Sequence, residues 1–154
     1  NLDLLKDDLD MEQVKEDILN TDIIYIGGGN TKFMLEKWRE LGVDKLLLEA
    51  YNKGIVCSGL SAGSYCWFRY NYDLLEGIGV INAVNCVHYE QKDSESRNKF
   101  YNVIKEKNIE GIALENCVAL AIIDDKIKII KSNNNRNAYK ITYKNNKFIE
   151  EIRK

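Results

Sequence analysis

The stretch GIVCSGLSAGSYCWF, from Gly54 to Phe68, joins an apolar run to a helix-compatible segment through a turn of small residues. The pentapeptide GLSAG in this turn fits the pattern G-x-S-x-G, the nucleophile elbow, in which a serine lies on a sharp turn between a strand and a helix. The run IVCS before it and the helical stretch after it supply the context that the pattern requires. We therefore interpret Ser61 as a candidate nucleophile. The alternative is a tight strand-to-helix connection without chemistry.

The small neighbours of Ser61 have a chemical explanation. Gly59, Ala62 and Gly63 allow a strand and a helix to approach each other closely around a strained serine. Such a turn directs the hydroxyl away from the sheet, and it brings the N–H of Ala62 to the place where an oxyanion develops. The pattern thus predicts acyl-transfer chemistry, with Ala62 as one oxyanion donor.

A nucleophilic serine needs a general base, and this chain contains one histidine, His88. His88 ends the β-prone run NAVNCVH, and functional groups collect at the carboxyl ends of strands in open α/β sheets. A lone histidine is otherwise a surface residue or a hydrogen-bonded structural residue. Together with the serine turn, the position of His88 favours the general base.

The third member of such a catalytic set is an acid that orients the imidazole ring. Glu115, in GIALENCVAL, follows another short apolar run and is the first candidate. Asp73, in RYNYD, is the second candidate, and Glu90 is the third. Most other acidic residues of the chain are expected to be solvated.

The three glycines in IYIGGGNT, Gly27 to Gly29, do not form a nucleotide-binding motif. The pattern G-x-G-x-x-G would need a glycine in place of Lys32, and no G-K-S/T follows. Glycine backbone can still approach a ligand closely, so the N–H of Gly28 or Gly29 is predicted to be the second oxyanion donor. The alternative is a tight strand-to-helix turn.

Apolar runs and amphipathic segments alternate along the first third of the chain. DIIYI and IVCS are typical of strands buried on both faces, inside a sheet. DMEQVKEDILN predicts a helix capped by Asp10, with Gln13 completing a capping box. KFMLEKWREL predicts a second helix ending at Gly42, and Asp44 is predicted to cap a third helix through KLLLEAYNK.

The alternation of strand-like and helix-like segments continues after Ser61, and hairpin strands are added late in the chain. A helical stretch and a polar loop around RYNYD follow Ser61, GIGVINAVNCVHYE is β-prone, and SESRNKFYNVIKEKN predicts a helix whose apolar side carries Phe100, Val103 and Ile104. GIALENCVALAIID holds two short strands, and DD (124–125) and NNNRN delimit KIKIIK and AYKITYK as hairpin strands. We therefore predict one α/β domain over residues 1–154, with a mostly parallel sheet flanked by helices and antiparallel hairpin strands near its C-terminus.

Composition and charge exclude several other classes of function. The formal net charge of −2 gives no electrostatic reason to expect nucleic acid or an anionic membrane as a partner. No apolar run is long enough to span a bilayer, and the acidic N-terminal segment has no signal-peptide pattern. The four cysteines form no C-x-x-C pair, so we expect buried thiols in a reducing cytosol, with no metal and no organic cofactor.

The segments IYIGGGNT, GLSAGSYCWF, VHYE, SESR and GIALENCVAL occur in an order that resembles the peptidase E (aspartyl dipeptidase) family of serine peptidases, which includes the cyanophycinases. The resemblance covers roughly residues 22–143. It implies a fold similar to the class I glutamine amidotransferase domain, with serine at position 61 where those enzymes have cysteine. That serine argues against a glutamine-amidotransferase-like partner subunit.

The resemblance also implies functions for particular residues. Ser61 is implied to be the nucleophile, His88 the base and Glu115 the orienting acid, and Asp73 falls near an acidic position also implicated in the family. Arg97, in SESR, falls where the dipeptidases hold the aspartate side chain of their substrate, and a guanidinium suits such bidentate recognition. The alternative for Arg97 is a solvated residue in the first turn of a helix. The implied activity is cytoplasmic hydrolysis of small peptides with an N-terminal aspartate.

The sequence departs from the family pattern in two places. The segment before DMEQVKEDILN is short relative to the family, which usually has a further strand there, and the segment between Ser61 and His88 is also short. We therefore expect an N-terminally truncated domain with an open sheet edge, which favours a homodimer. The alternative function is a catalytically weak or inactive member of the same fold that acts as a binding or interaction module.

Overall fold

The structure is a computed structural model that describes residues 2–6, 8–124 and 126–153. Its helices are α1 (Met11–Leu19), α2 (Thr31–Leu41), α3 (Val43–Asn52), α4 (Ala62–Tyr65) and α5 (Ser94–Lys107). Its strands are β1 (Ile23–Ile26), β2 (Val56–Gly59), β3 (Phe68–Asn71), β4 (Ile81–Val87), β5 (Gly111–Leu114), β6 (Val118–Ile123), β7 (Lys126–Lys131), β8 (Ala138–Lys144) and β9 (Lys147–Arg153). None of the helices in these ranges is long and apolar enough to cross a membrane.

The strands form a mixed α/β arrangement. β1 pairs with β2 in parallel, and a five-stranded sheet has the order β3-β4-β5-β8-β9. Within the larger sheet β3, β4 and β5 are parallel, whereas β8 and β9 are antiparallel to their neighbours. The predicted fold class, parallel strands flanked by helices with an antiparallel hairpin at the C-terminus, is confirmed.

The first helix begins where the sequence predicts it, but its cap differs in detail. The carboxylate of Asp10 accepts hydrogen bonds from the N–H groups of Glu12 and Gln13, at 3.1 and 3.2 Å. The predicted capping box is wrong, because the side chain of Gln13 donates to Asp17 Oδ1 at 3.0 Å instead. Asp10 therefore caps the helix alone.

The junction between α2 and α3 is tighter than predicted. Gly42 ends α2 with a φ of 74°, in the left-handed region, and α3 begins at the next residue, Val43. Asp44 therefore lies inside the first turn of α3 and makes no capping hydrogen bond, so its predicted function as an N-cap is wrong. As a first-turn carboxylate it still suits the positive end of the helix dipole.

Two apolar clusters hold the helices to the strands. The first joins α1, α2 and α3 to the inner face of β1 and β2, with Trp38 and Leu47 almost fully buried. The second packs α5 on β4 and β5 through Phe100, Val103 and Ile104, which are buried as predicted. Ser61, which directly precedes α4, and His88, which directly follows β4, lie beside different clusters.

The other face of β1 and β2 is open. Ile23, Tyr25 and Val56 are 61%, 66% and 58% exposed, so the prediction that both strands are buried on both faces and lie inside a sheet is wrong. Side chains alternate between the two faces of a strand, and helices cover one face only among the residues that the structure describes. The uncovered face is apolar.

Two further predictions about strands need correction. The segment RYNYD is not only a polar loop, because residues 68–71 form β3, whose Phe68 and Asn71 are buried and which pairs with β4. KIKIIK and AYKITYK do not pair with each other: β7 pairs with β6, and β8 lies between β5 and β9. Of the predicted DD turn, Asp125 lies outside the described residues.

Candidate active site

Ser61 occupies the sharp turn between β2 and α4. Its backbone has φ 54° and ψ −113°, a conformation that costs a non-glycine residue on the order of 1–3 kcal/mol. A Cβ on Gly59 would collide with the carbonyl of Gly63, and a Cβ on Gly63 would collide with the carbonyl of Ile26. The turn therefore needs glycine on both sides of the serine, as the pattern predicts.

His88 lies at the carboxyl end of β4 and faces Ser61. Its Nε2 is 3.3 Å from Ser61 Oγ, which is hydrogen-bond reach for a serine and its base. His88 also has a positive φ, 54°, immediately after the last residue of the strand. Two residues that the sequence predicts as functional are thus brought together from the ends of two strands.

The other ring nitrogen of His88 has a partner that the sequence reasoning missed. His88 Nδ1 is 2.5 Å from Asn116 Oδ1. The sequence pattern predicts an acid at this position, although an amide oxygen can accept the same hydrogen bond. The available signal was the position of Asn116, directly after the predicted acid at the end of an apolar run.

Glu115, the predicted orienting acid, does not contact His88. Its carboxylate accepts from the N–H of Asn137 at 2.8 Å and from the hydroxyl of Tyr139 at 3.0 Å. The reason is strand geometry: Tyr139 is the register partner of Ala113, and Glu115, two residues further along the chain, lies on the same face. The expectation that Glu115 orients the ring is therefore not met in this structure.

The two remaining acidic candidates lie in different surroundings. Glu90 has a side chain that is only 14% exposed, and its Oε2 accepts the backbone N–H of Asn116 at 3.1 Å. Arg136 lies 3.8 Å from its other carboxylate oxygen. Asp73 is exposed in the turn after β3, away from the cleft beside Ser61. Only Glu90 is connected to the surroundings of His88.

The predicted oxyanion donors surround Ser61. Ala62 is the first residue of α4, so its N–H has no partner within the helix. A Cβ on Gly28 would lie 3.4 Å from Ser61 Cβ and 3.9 Å from Ser61 Oγ, whereas one on Gly29 would meet no atom within 4 Å. Gly28 is therefore the glycine next to the nucleophile, and the assignment of these donors remains a prediction.

A cleft of about 580 Å³ opens beside the serine and the histidine. Its walls come from the turn after β2, the loop between β5 and β6, and the β6–β7 hairpin; they are largely apolar and include Trp67, Leu114, Leu120, Ile122 and Ile127. No lysine or arginine lines the cleft among residues 2–6, 8–124 and 126–153. The cleft can thus hold part of a small peptide next to Ser61.

Arg97, the predicted substrate-binding residue, lies in the first turn of α5. Its guanidinium stacks over the ring of Tyr89, 4.5 Å from the centroid, and donates to the carbonyl of Tyr89 at 3.3 Å. It is not among the residues that line the cleft. Its Nε is buried and has no hydrogen-bond partner in the described part of the chain, so the group keeps donor capacity.

Burial keeps three of the four cysteines from competing with Ser61 as nucleophiles. All four are free, and burial raises the pKa of Cys57, Cys66 and Cys86, the last to about 12. A thiol with a raised pKa stays protonated and unreactive at neutral pH. The prediction of free thiols is confirmed, but Cys117 is exposed rather than buried.

Sequence comparisons with known proteins identify the family of this chain. The family model of peptidase family S51 matches residues 1–130. "Uncharacterized peptidase YgaJ" of Bacillus subtilis is 32% identical over 133 residues, which cover 80% of this chain and 57% of that protein. "Uncharacterized peptidase Lmo0363" of Listeria monocytogenes is 36% identical over 69 residues, 42% of this chain and 34% of that protein.

A solved structure is similar over a larger part of the chain. The crystal structure of a Listeria monocytogenes EGD-e protein named for peptidase E matches with a TM-score of 0.66 and 19% identity, over 86% of this chain and 69% of that one. At this identity the match shows the fold. The chain spans 57% of the length of YgaJ and 34% of the length of Lmo0363. Because the family model matches most of the chain, residues 1–130, this chain belongs to peptidase family S51.

Proposed function

We propose that this protein is a serine peptidase of the peptidase E type that hydrolyses small peptides, with Ser61 as the nucleophile and His88 as the general base. The observation that carries the proposal is the 3.3 Å separation of Ser61 Oγ and His88 Nε2 on a strained turn. A serine and a base in hydrogen-bond reach form the core of an activated nucleophile. Peptidase family membership supplies the substrate class.

The proposed reaction follows from the positions of these groups. Ser61 Oγ attacks the peptide carbonyl while His88 Nε2 takes the hydroxyl proton, and the carbonyl oxygen becomes an oxyanion. The N–H groups of Ala62 and Gly28 would stabilise that oxyanion. His88 then gives its proton to the leaving amine, and a water molecule attacks the acyl-enzyme with His88 again as base. Both products leave, and Ser61 regains its proton.

A preference for an N-terminal aspartate is the finer part of the proposal. It rests on Arg97, the cation to which the family resemblance points, because no lysine or arginine of the described residues lines the cleft itself. Arg97 follows His88 closely in the chain, and its buried Nε has no hydrogen-bond partner among the described residues, so the side chain would have to turn toward the cleft to present this donor to a substrate carboxylate. Bidentate recognition of a carboxylate suits arginine better than lysine.

A non-catalytic binding module is the second candidate function. The observation that favours it is the exposed apolar face of β1 and β2, formed by Ile23, Tyr25 and Val56. Exposed apolar surface of this kind marks interaction sites. In that case the pairing of Ser61 with His88 would be a remnant of the family site without turnover.

A fluorophosphonate probe separates the two candidates. We expect the intact chain to gain one covalent adduct at Ser61, detected by mass spectrometry of the peptide that contains it, and to hydrolyse Asp-X dipeptides. Ser61→Ala should abolish both signals. Ser64→Ala, three residues further and also lining the cleft, is the matched control and should keep both. No adduct on the folded wild-type chain would refute the peptidase.

A further inference from the structure

The proposed base has two ring nitrogens, and the one that faces away from Ser61 is held by a neutral residue. We propose that Asn116, rather than an acid, orients His88, and that Glu90 is the positioning residue that holds Asn116 in place. This inference rests on the proposed function of Ser61 and His88. It assigns a neutral amide to the position that an acid occupies in a Ser-His-acid triad.

The hydrogen bond between His88 and Asn116 selects the useful tautomer of the ring. With Asn116 Oδ1 as the acceptor, 2.5 Å away, Nδ1 carries the proton and donates it. Nε2 is then unprotonated and can accept the proton of Ser61 Oγ, 3.3 Å away. The opposite tautomer would leave Nε2 protonated and unable to act as the base.

Glu90 fixes the backbone from which Asn116 projects. Its Oε2 accepts the Asn116 N–H at 3.1 Å, and its side chain is 14% exposed, so water competes weakly for this hydrogen bond. A carboxylate in such a place also attracts Arg136, 3.8 Å from Oε1. A displaced Asn116 could not keep its short contact with the ring.

Asn116 lies in the loop between β5 and β6, and Glu115 anchors this loop from the other side. It binds the N–H of Asn137 and the hydroxyl of Tyr139, at 2.8 and 3.0 Å, and thus ties the loop to the start of β8. The loop that carries Asn116 is therefore anchored by one carboxylate on each side. Glu90 acts on Asn116 directly, whereas Glu115 acts on β8, which makes Glu115 a matched control for Glu90.

An amide and a carboxylate differ in how they treat the protonated ring. Both accept the Nδ1 proton, but only a carboxylate adds a negative charge that favours the imidazolium. Among the charged or titratable groups of the described residues, Glu90 holds the Asn116 N–H with Arg136 beside it, and Glu115 and the thiol of Cys117 line the same cleft as the ring. Asn116→Asp leaves all of these groups in place, so a difference between this variant and the wild type reports the residue at position 116.

The test uses the fact that His88 is the only histidine of the chain, so its ring signals are unambiguous in a protein without a histidine tag. Nitrogen-15 NMR of the intact chain should show the proton on Nδ1 at neutral and higher pH. Asn116→Ala should lose this tautomer preference. Asn116→Asp should restore it and move the titration of the ring to higher pH. A wild-type ring protonated on Nε2, or Asn116→Ala with unchanged ring signals, would overturn the inference.

Variants of Glu90 test whether this residue positions Asn116. Glu90→Gln keeps an oxygen acceptor for the Asn116 N–H and should preserve the ring signals, whereas Glu90→Ala should give the signals of Asn116→Ala. Glu115→Ala should leave the tautomer unchanged, because Glu115 is bonded to Asn137 and Tyr139 rather than to Asn116. If Glu90→Ala, folded by circular dichroism, kept the wild-type signals, or if Glu115→Ala changed them as Glu90→Ala does, Glu90 would not be the positioning residue.

Kinetics distinguish a failure of this inference from a failure of the proposed function. Asn116→Ala should lower kcat by about 10²-fold, the low end of a general base contribution, with KM nearly unchanged. Asn116→Asp should recover kcat and raise the pH of the acidic limb of kcat/KM. An inactive wild type with the expected NMR tautomer would refute the peptidase but keep the orientation by Asn116. An Asn116→Ala variant with the kcat of the wild type would refute only the orientation of His88 by Asn116.

Discussion

Ser61 Oγ and His88 Nε2 lie 3.3 Å apart beyond the ends of two strands, and both residues have a φ of 54°. Neither residue is glycine, and residues other than glycine rarely adopt a positive φ. Strained backbone persists only where the surrounding structure holds it, and such strain clusters at functional sites. The strain here lies on both members of the proposed pair, which links the architecture of the turn to its chemistry.

Relief of the strain at Ser61 should stabilise the protein. Glycine adopts a positive φ without penalty, so Ser61→Gly should be more stable than Ser61→Ala by about 1 kcal/mol, after the entropic cost of glycine is subtracted from the strain. Urea unfolding followed by circular dichroism measures the difference, and both variants should be inactive. If Ser61→Ala were the more stable of the two, the turn would not be strained at this residue.

A methyl group at Gly63 should damage the turn. The added Cβ would meet the backbone carbonyl of Ile26, which cannot move without shifting β1, so we expect Gly63→Ala to lose about 1–3 kcal/mol of stability and most of its labelling by a fluorophosphonate. Gly27→Ala is the matched control, because its Cβ would meet nothing within 4 Å. Equal stability of the two variants would contradict the close contact.

Alkaline pH should unfold the protein through its buried tyrosines. Burial raises the pKa of Tyr65, and burial with hydrogen bonds to Tyr101 and Glu150 raises that of Tyr89, both from an ordinary value of 10.0. The folded state therefore holds protons that the unfolded state releases. This stabilisation is complete below pH 10 and is lost progressively above it.

The free energy of unfolding, measured in urea at several pH values, should fall above pH 10 more steeply for the wild type than for Tyr65→Phe. That variant keeps the ring and removes the titrating group, although it loses the contact with the Val87 N–H. Parallel curves for the two proteins would show that Tyr65 ionises as easily in the folded state as in the unfolded state.

Substrate choice tests Arg97. If its guanidinium binds the carboxylate of an N-terminal aspartate, Arg97→Ala should lower kcat/KM for Asp-X by on the order of 2–5 kcal/mol in transition-state binding, and that for Leu-X much less. Arg69→Ala, which removes a guanidinium stacked on Tyr70 in the same way, is the control. Equal losses on both substrates would assign Arg97 to the support of Tyr89 alone.

The apolar face of β1 and β2 should form a homodimer interface. Two copies that bury Ile23, Tyr25 and Val56 against each other would remove exposed apolar surface from water, and two-fold pairing is the simplest closed arrangement. Light scattering should report a dimer for the wild type and a monomer for Tyr25→Lys. Phe33→Lys, at an exposed position of α2, should stay dimeric. A monomeric wild type at high concentration would contradict the interface.

The local sequence pattern was sufficient to predict much of the fold and the turn that carries Ser61. The helix with Phe100, Val103 and Ile104 on its buried side follows from side-chain periodicity, and the turn at Ser61 follows from glycines that only close strand–helix packing requires. The positions of Ser61 and His88 at strand ends follow from the same logic, because functional groups collect at the carboxyl ends of parallel strands.

What only the tertiary structure decided is which side chain meets the second nitrogen of His88. Glu115 and Asn116 are neighbours in the sequence, and an acid is the expected partner of a catalytic histidine. The register of β5 against β8 turns Glu115 toward Tyr139 and leaves Asn116 facing the ring. Register is set by pairing between distant segments, and a one-residue difference reverses the direction of a side chain. Sequence alone therefore determined the turn and the serine on it, and long-range strand pairing chose the residue that contacts His88.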